Sequence, residues 1–222
     1  MSTAPVLPSR RLLLAAALAA PLASRAQTHS THRHDFKGAG EWAKAFDDPK
    51  RDAWQKPHEV IQALALAPTA VVADIGAGTG YFAVRLAHML SRGKVYAIDA
   101  EPDMVAWLER RAREAGLANL VARKAAADSA NLPEAVDLAL LVDVYHHIDA
   151  RVAYFWRLRA SLKQGGRLAV IDFRAGAPMG PPKHERIAPE RVKAELGEAG
   201  YRLVAEHGFL PHQFFVVFEV AS

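Results

Sequence analysis

The stretch from Val71 to Gly80, VVADIGAGTG, decides the fold of this chain. It begins with apolar and β-branched residues, reaches an acid at Asp74 and then places a glycine at every second position, Gly76, Gly78 and Gly80. An apolar run that breaks into glycines is typical of a buried parallel strand that turns into a helix. Because glycine permits positive φ and lets a ligand approach the backbone, we expect a nucleotide-like ligand at this turn.

The spacing of the glycines separates this turn from a dinucleotide-binding one. The dinucleotide fingerprint needs its third glycine where Tyr81 stands, one residue after Gly80. The carboxylate of Asp74 favours a cationic ligand and repels a pyrophosphate. These features resemble motif I of the class I methyltransferases, whose cofactor S-adenosylmethionine (SAM) carries an ammonium and a sulfonium and no phosphate. Taken alone, the motif also fits a tight glycine turn that binds nothing.

The resemblance extends over residues 71–173. An amphipathic helix follows the glycines, and a second strand, Val95 to Ile98, ends at Asp99. An acid roughly 20 residues beyond the glycine loop can accept hydrogen bonds from ribose hydroxyls. The resemblance also implies that Asp128 meets the adenine amino group. The cofactor site that it implies comprises Asp74, Gly76, Ala77, Gly78, Gly80, Asp99, Ala100, Met104, Asp128, Ser129 and Asp143.

The order of strand-like and helix-like segments predicts the fold class. Strands and helices alternate through the middle of the chain, with a fourth strand at Val136 to Val142 and a fifth at Arg167 to Phe173. Two extended runs, Tyr201 to His207 and Phe214 to Val220, close the chain, and we expect them to pair antiparallel. We therefore expect an α/β, Rossmann-like sheet of seven mostly parallel strands, with helices on both faces and an antiparallel last strand.

The segments before the glycine loop are expected to form a lid. We assign residues 27–66 to a tail and helical lid, and residues 67–222 to the SAM-dependent methyltransferase domain. Phe46 and Trp54 in the lid either form walls of the cofactor pocket or pack on the sheet. The histidines in the tail, THSTHRH, match no closed metal site, so we expect a solvated tail and no metal.

Residues 1–26 have the composition of an export signal. Arg10 and Arg11 precede an apolar run, Leu12 to Leu22, that is too short to span a membrane. This pattern is typical of a secretory signal of the Sec or twin-arginine type, cleaved near Ala26. We therefore expect a periplasmic protein with no stable membrane span after cleavage, or a cytoplasmic one if the segment is not a signal.

The charge balance and the absence of cysteine exclude several function classes. The chain has 28 basic and 24 acidic side chains, and three of the arginines lie in residues 1–26, which contain no acid. The nearly neutral remainder offers no basic patch, so we expect no nucleic-acid partner. Because the chain contains no cysteine, it has neither disulfides nor a thiol nucleophile.

Candidate catalytic residues follow the fourth strand in the sequence DVYHHI. Ligands of open α/β sheets bind at the carboxyl ends of the strands, where Asp143, Tyr145 and His146 are expected. An imidazole suits removal of a proton near neutral pH. We expect His146 to face the pocket, His147 to have a hydrogen-bonded structural role, and Asp143 to lie near the methionine part of SAM.

The sequence also bears on the methyl acceptor. His184, Glu185 and Arg186 either contact the acceptor or belong to a solvated loop. The Asn-Pro-Pro-Tyr type motif of enzymes that methylate adenine or glutamine is absent after the fourth strand, which favours a small organic acceptor. We expect transfer to O, N or C of a small molecule by in-line displacement. The alternatives are a protein methyltransferase acting on an exported partner, and a SAM-binding module without activity.

Overall fold

The computed structural model describes residue 1 and residues 38–221. The expected signal segment, its cleavage near Ala26 and the tail histidines lie outside these residues. The described elements, in chain order, are α1 (Ala39–Phe46), α2 (Asp52–Gln55), α3 (Pro57–Ala63), β1 (Val71–Ile75), α4 (Tyr81–Met89), β2 (Lys94–Asp99), α5 (Pro102–Glu114), β3 (Leu120–Lys124), β4 (Val136–Val142), α6 (Arg151–Leu158), β5 (Leu162–Phe173), α7 (Pro189–Glu198), β6 (Tyr201–His207) and β7 (Gln213–Val220).

The strands form one sheet in the order β3-β2-β1-β4-β5-β7-β6. Strands β3, β2, β1, β4 and β5 pair in parallel, whereas β7 runs antiparallel to both of its neighbours, β5 and β6. The expected seven-stranded, mostly parallel sheet with an antiparallel last strand is therefore confirmed.

Prolines and glycines set the helix boundaries. Pro57 is the first residue of α3, and Lys56 before it has a φ of 46°, so the lid divides into short helices at this proline. Helix α5 likewise starts at Pro102 and ends before Gly116, whose φ of 66° closes the helix in the left-handed region.

Apolar side chains cover both faces of the sheet. Val72 and Leu140 project to one face, where α3, α4 and α5 pack, while the neighbouring Ala73 and Leu141 project to the other, where α6 and α7 pack. These central strands are buried on both sides, which explains why they are continuous apolar runs in the sequence. Helices therefore cover both faces, as predicted.

Strand β5 begins earlier than the sequence predicted. We expected it to start at Arg167, but it runs from Leu162 and includes the glycines at 165 and 166. Its pairing with β4 shifts from Val136 opposite Leu162 to Leu138 opposite Arg167, so the extra residues bulge out of the ladder. A bulge with glycine in the left-handed region lets the strand continue through a sequence that resembles a turn.

The strand order places a crevice between β1 and β4. The chain proceeds from β1 through β2 to β3 on one side and then returns to add β4 on the other side of β1. Such a reversal opens a ligand crevice at the carboxyl ends of the two central strands. The glycine loop follows β1, and DVYHHI follows β4, at this same edge. Within residues 38–221, no helix has both the length and the apolar character that crossing a membrane requires.

Candidate active site

The glycine loop is held tightly against its neighbours. The backbone N–H groups of Gly76 and Ala77 both donate to the carbonyl of Ile98 on β2, at 2.8 and 2.9 Å. Gly76 has a φ of 73°, and a Cβ there would lie 2.3 Å from a methyl group of Val144. At Gly78 the φ is 54°, and the ring of Phe46 lies 3.4 Å from where a Cβ would be. A side chain at Gly76 would therefore collide with Val144, and one at Gly78 would have a strained φ and contact the ring of Phe46.

Asp99 braces the same loop from the end of β2. One carboxylate oxygen accepts a hydrogen bond from the N–H of Gly78 at 2.8 Å, and the other accepts one from the N–H of Glu101 at 2.9 Å. Burial raises the pKa of Asp99, against the lowering effect of these backbone donors. The acid thus lies beside the glycine loop, as the sequence predicted.

The other residues expected around the adenosine differ in exposure. Met104 is buried on α5, and Ala100 is exposed just before it. Asp128 is exposed and lies 3.6 Å from Arg157, whose guanidinium also donates to the Asp128 carbonyl. Ser129 beside it is half-buried. The expected role of Asp128 at the adenine stays a prediction.

Asp74 is a buried acid at the end of β1. Asp74 is 3% exposed. Burial raises the pKa of Asp74 to about 7, although the N–H of Ala83 and the positive charge of Arg51 lower it and the charge of Asp99 raises it further. A carboxyl group held in this way gains most from a ligand that brings a positive charge.

Asp143 lies at the centre of a polar cluster that the sequence did not reveal. Its backbone has a φ of 59°, an uncommon conformation for a residue other than glycine. Gln213 on β7 donates from Nε2 to Asp143 at 2.5 Å, and the guanidinium of Arg51 lies 3.8 Å from the other oxygen. Gln55 in the lid donates to Gln213 at 2.6 Å. Burial and the charge of Asp172 raise the pKa of Asp143, while Arg51, His146 and Gln213 lower it.

The two adjacent histidines differ in burial. His146 is 3% exposed, and its Nδ1 lies 2.8 Å from a carboxylate oxygen of Asp172 at the end of β5. His147 is half-buried. His146 thus occupies a buried, hydrogen-bonded position, and the structural role expected of His147 stays a prediction. Burial alone would lower the pKa of His146, but the hydrogen bond and charge of Asp172 raise it. Contact of His146 with an acceptor stays a prediction.

Tyr145 is directed into the core. Its side chain is fully buried, stacks on Phe155 at a ring distance of 5.1 Å and donates its hydroxyl to Glu195 on α7 at 2.7 Å. These contacts argue against the catalytic role that we expected for Tyr145. The residue instead joins two helices beneath the site.

The lid aromatics divide between the two alternatives. Phe46 lies over Gly78 and stacks on Trp42, so it covers the glycine loop. Trp54 packs against Phe173, at the end of β5, with a ring distance of 5.7 Å. Between them, Arg51 lies 4.0 Å above the ring of Tyr81. The lid therefore closes over the crevice at Phe46 and packs on the sheet end at Trp54.

The loop after β5 is organised by Arg186. Its guanidinium donates to five backbone carbonyls at 2.8 to 3.2 Å, those of Arg174, Ala175, Ala177, Met179 and Pro181. Arg186 therefore shapes the loop, which corrects both readings that the sequence left open for it. His184 is exposed, and the side chain of Glu185 is 12% exposed, close enough for its charge to act on His146.

Replacing Arg186 with alanine should loosen this loop. We expect Arg186→Ala to lower the free energy of unfolding by about 1–3 kcal/mol, because several charge-assisted hydrogen bonds are lost while their acceptors become accessible to water. Limited proteolysis should then cut within residues 174–186. Arg186→Lys should restore little, since an ammonium lacks the planar fork. The control is Arg113→Ala at an exposed arginine of α5. If Arg186→Ala resists proteolysis as the control does, the loop has another support.

Comparisons with known proteins agree with this geometry. Residues 72–166 match the family model described as a methyltransferase domain. A SAM-dependent methyltransferase from Aquifex aeolicus superposes with a TM-score of 0.77 and 26% identity, over 85% of this chain and all of that one. The match thus covers the glycine loop, Asp99 and the strands that carry them. Residues 72–166 therefore match a methyltransferase domain, and the fold is that of SAM-dependent methyltransferases.

Two curated relatives are similar over longer segments. A protein-L-isoaspartate O-methyltransferase of Methylorubrum populi is 34% identical over 142 residues, which are 61% of this chain and 59% of the relative. A release factor glutamine methyltransferase of Cereibacter sphaeroides is 29% identical over 171 residues, 74% of this chain and 60% of the relative. The chain thus spans about 60% of the length of these two relatives.

The residues of the methyltransferase domain fit SAM. Asp99 offers a half-buried carboxylate for the ribose. Asp74 and Asp143 supply negative charge at the crevice, which suits a cationic methionine part. The buried hydroxyl of Thr79 within the glycine loop has no hydrogen-bond partner. The three carboxylates are acceptors that suit the hydroxyls and the cationic groups of SAM, and they would repel a phosphate.

Proposed function

We propose that this protein transfers the methyl group of SAM to a small organic acceptor. The observation that carries the proposal is the cover over the crevice. Phe46 lies on the glycine loop, Arg51 lies on Tyr81, and the loop after β5 is fixed by Arg186. An acceptor must fit between this lid and this loop, which favours a small molecule over a folded protein.

The chain's own residues contribute mainly binding and orientation. SAM supplies a methyl group on a positively charged sulfur, which is already an activated leaving group. Asp99 binds the ribose, while Asp74 and Asp143 orient the cationic methionine end. The lid excludes water from the crevice. Alignment of the acceptor with the methyl group then provides most of the rate, as an effect of proximity.

An acceptor that arrives protonated also needs a base, and we assign this role to His146. Its Nδ1 is held by Asp172. If Nδ1 carries the hydrogen, Nε2 is the atom that accepts a proton, so the acid selects the tautomer that acts as a base. Asp172 raises the pKa of His146, so the neutral imidazole that accepts the proton forms at higher pH than in an ordinary histidine, and transfer that needs this base should rise with pH.

A protein acceptor is the second candidate, and the curated relatives favour it. The relatives from Methylorubrum populi and Cereibacter sphaeroides are by name a protein-L-isoaspartate and a release factor methyltransferase. This chain differs from the motif expected of glutamine-methylating enzymes, since DVYHHI follows β4. A direct search for the labelled product separates the two candidates.

We expect S-adenosylhomocysteine (SAH) to raise the melting temperature of the protein. At about 100 times the dissociation constant, the stabilisation is about 2.7 kcal/mol, or roughly 5–10 °C. SAM with a labelled methyl group is incubated with the protein and with either the small molecules or the proteins of a cell extract. We expect the label to appear in the small molecules. Label found only in protein would replace the small acceptor with a protein one. Failure of both SAH and SAM to stabilise the protein would overturn the cofactor site.

A further inference from the structure

Four polar side chains form a ring at the carboxyl edge of the sheet, joined by three hydrogen bonds and one ion pair. Gln213 donates to Asp143 at 2.5 Å, and Gln55 donates to Gln213 at 2.6 Å. Arg51 donates from Nε to Gln55 at 3.1 Å and lies 3.8 Å from Asp143. The ring thus joins the lid, the end of β4 and the start of β7, which are far apart in the sequence.

The direction of donation in this ring is fixed. The oxygen of Gln55 accepts from Arg51, so its amide nitrogen faces Gln213. The oxygen of Gln213 then faces Gln55, and its nitrogen faces the carboxylate of Asp143. An ionised carboxylate only accepts hydrogen bonds. Gln213 therefore donates to Asp143, and Gln55 and Arg51 donate in the same direction around the ring.

The burial of the two amides indicates more than a packing role. Gln55 and Gln213 are both 0% exposed. Burying an amide costs free energy unless its hydrogen bonds are satisfied. Apolar side chains of the same size would hold the lid without this desolvation cost. The amides face a carboxylate that also adjoins Arg51 and lies at the crevice. Their arrangement therefore serves the carboxylate.

We propose that Gln213, supported by Gln55, is a positioning residue that holds the Asp143 carboxylate toward the cationic methionine part of the cofactor. This inference rests on the proposed function and assigns the polar cluster at the end of β4 to one part of the ligand. It predicts that the ring contributes to binding of the amino-acid group and contributes nothing to binding of the adenosine.

Two ligands that differ in the amino-acid group test this inference. SAH carries the group, and 5′-methylthioadenosine lacks it. We expect Gln213→Met, which keeps the volume and removes the donor, to weaken SAH about tenfold in calorimetry. Binding of 5′-methylthioadenosine should change less than about twofold. Gln55→Met, one bond further from Asp143, should weaken SAH by a smaller factor. Gln62→Met on the exposed side of α3 is the matched control and should change neither affinity.

The pH dependence of SAH affinity is a second test, because it would not change if Gln213 only supported the fold. The groups whose charges act on Asp143 are Arg51, His146 and Asp172. The Gln213 donor favours the ionised carboxylate, so Gln213→Met should raise the pKa of Asp143. The pH at which SAH affinity rises should then be higher than in the native protein, although the other three groups are the same.

The possible results separate the inference from the proposed function. If the native protein binds neither ligand, the SAM site itself is wrong. If the native protein binds both and Gln213→Met weakens them equally, the ring is a brace of the fold and the positioning role is overturned. If Gln213→Met does not fold, Gln55→Met decides, and a selective loss of SAH affinity supports the positioning role. An unchanged SAH affinity in a folded Gln55→Met overturns it.

Discussion

Asp99→Ala is expected to abolish the stabilisation of this protein by SAH. The carboxylate at the end of β2 is the expected acceptor for both ribose hydroxyls, and each charge-assisted hydrogen bond contributes about 1.5–3 kcal/mol. Losing two of them weakens binding by on the order of a hundredfold or more. Thermal melts with and without SAH measure the loss directly. Methyl transfer should fall with it at any SAM concentration below the new dissociation constant.

A second variant and a control separate ligand binding from support of the loop. Asp99 also accepts hydrogen bonds from the backbone of Gly78 and Glu101, so its removal affects the glycine loop. Asp99→Asn keeps one acceptor and should retain part of the affinity. Glu109→Ala, at an exposed acid on α5, should melt and bind as the native protein does. A full SAH shift in Asp99→Ala would show that the ribose lies elsewhere.

The parts of the site that local sequence encodes could be predicted. Asp74 and Asp99 each end an apolar strand, and strand ends can be located because the apolar run stops there. Parallel pairing then brings the two ends to one edge of the sheet, next to Gly76 and Gly78. The cofactor side of the crevice thus follows from the order of the strands and from the glycine spacing.

The polar ring around Asp143 could not be predicted in this way. Gln55 and Gln213 are 158 residues apart, and a lone glutamine in a short helix or at the start of a strand has no periodic signal. Their contact depends on how the lid packs across β7, which is set by tertiary packing. The adjacent pair His146 and His147 shows the same limit, because the rotation of a short helical turn decides which ring is buried.

Arg186 shows a different limit of the sequence. A charged residue in a loop rich in proline and glycine resembles a ligand contact or a solvated side chain. In the structure it satisfies carbonyls of its own loop, and nothing in the spacing of the residues predicts that they converge on one guanidinium. Long loops can be located from composition, but their internal hydrogen bonds depend on a specific backbone path.

Asp74→Asn is expected to make the ligand-free protein more stable while it weakens cofactor binding. The pKa of Asp74 is about 7 in the folded chain, against roughly 4 in an unfolded one. Between these values the folded chain keeps a proton that the unfolded chain has lost, so stability falls as the pH rises from about 4 to about 7. A neutral amide does not ionise, so Asp74→Asn does not lose stability in this way. We expect Asp74→Asn to raise the free energy of unfolding by on the order of 2–4 kcal/mol near pH 8.

The dependence on pH and on ligand distinguishes this explanation from better packing. The gain from Asp74→Asn should shrink toward zero near about pH 4, where both forms of the protein carry a neutral group. With SAH present at about pH 8, the native protein should be more stable than Asp74→Asn. The ionised Asp74 attracts the ammonium of the ligand, and the neutral amide does not. Urea unfolding at several pH values, with and without SAH, measures both effects. Parallel stability curves for the two proteins would mean that Asp74 is ionised in the folded chain throughout, and that the crevice already compensates its charge before the cofactor arrives.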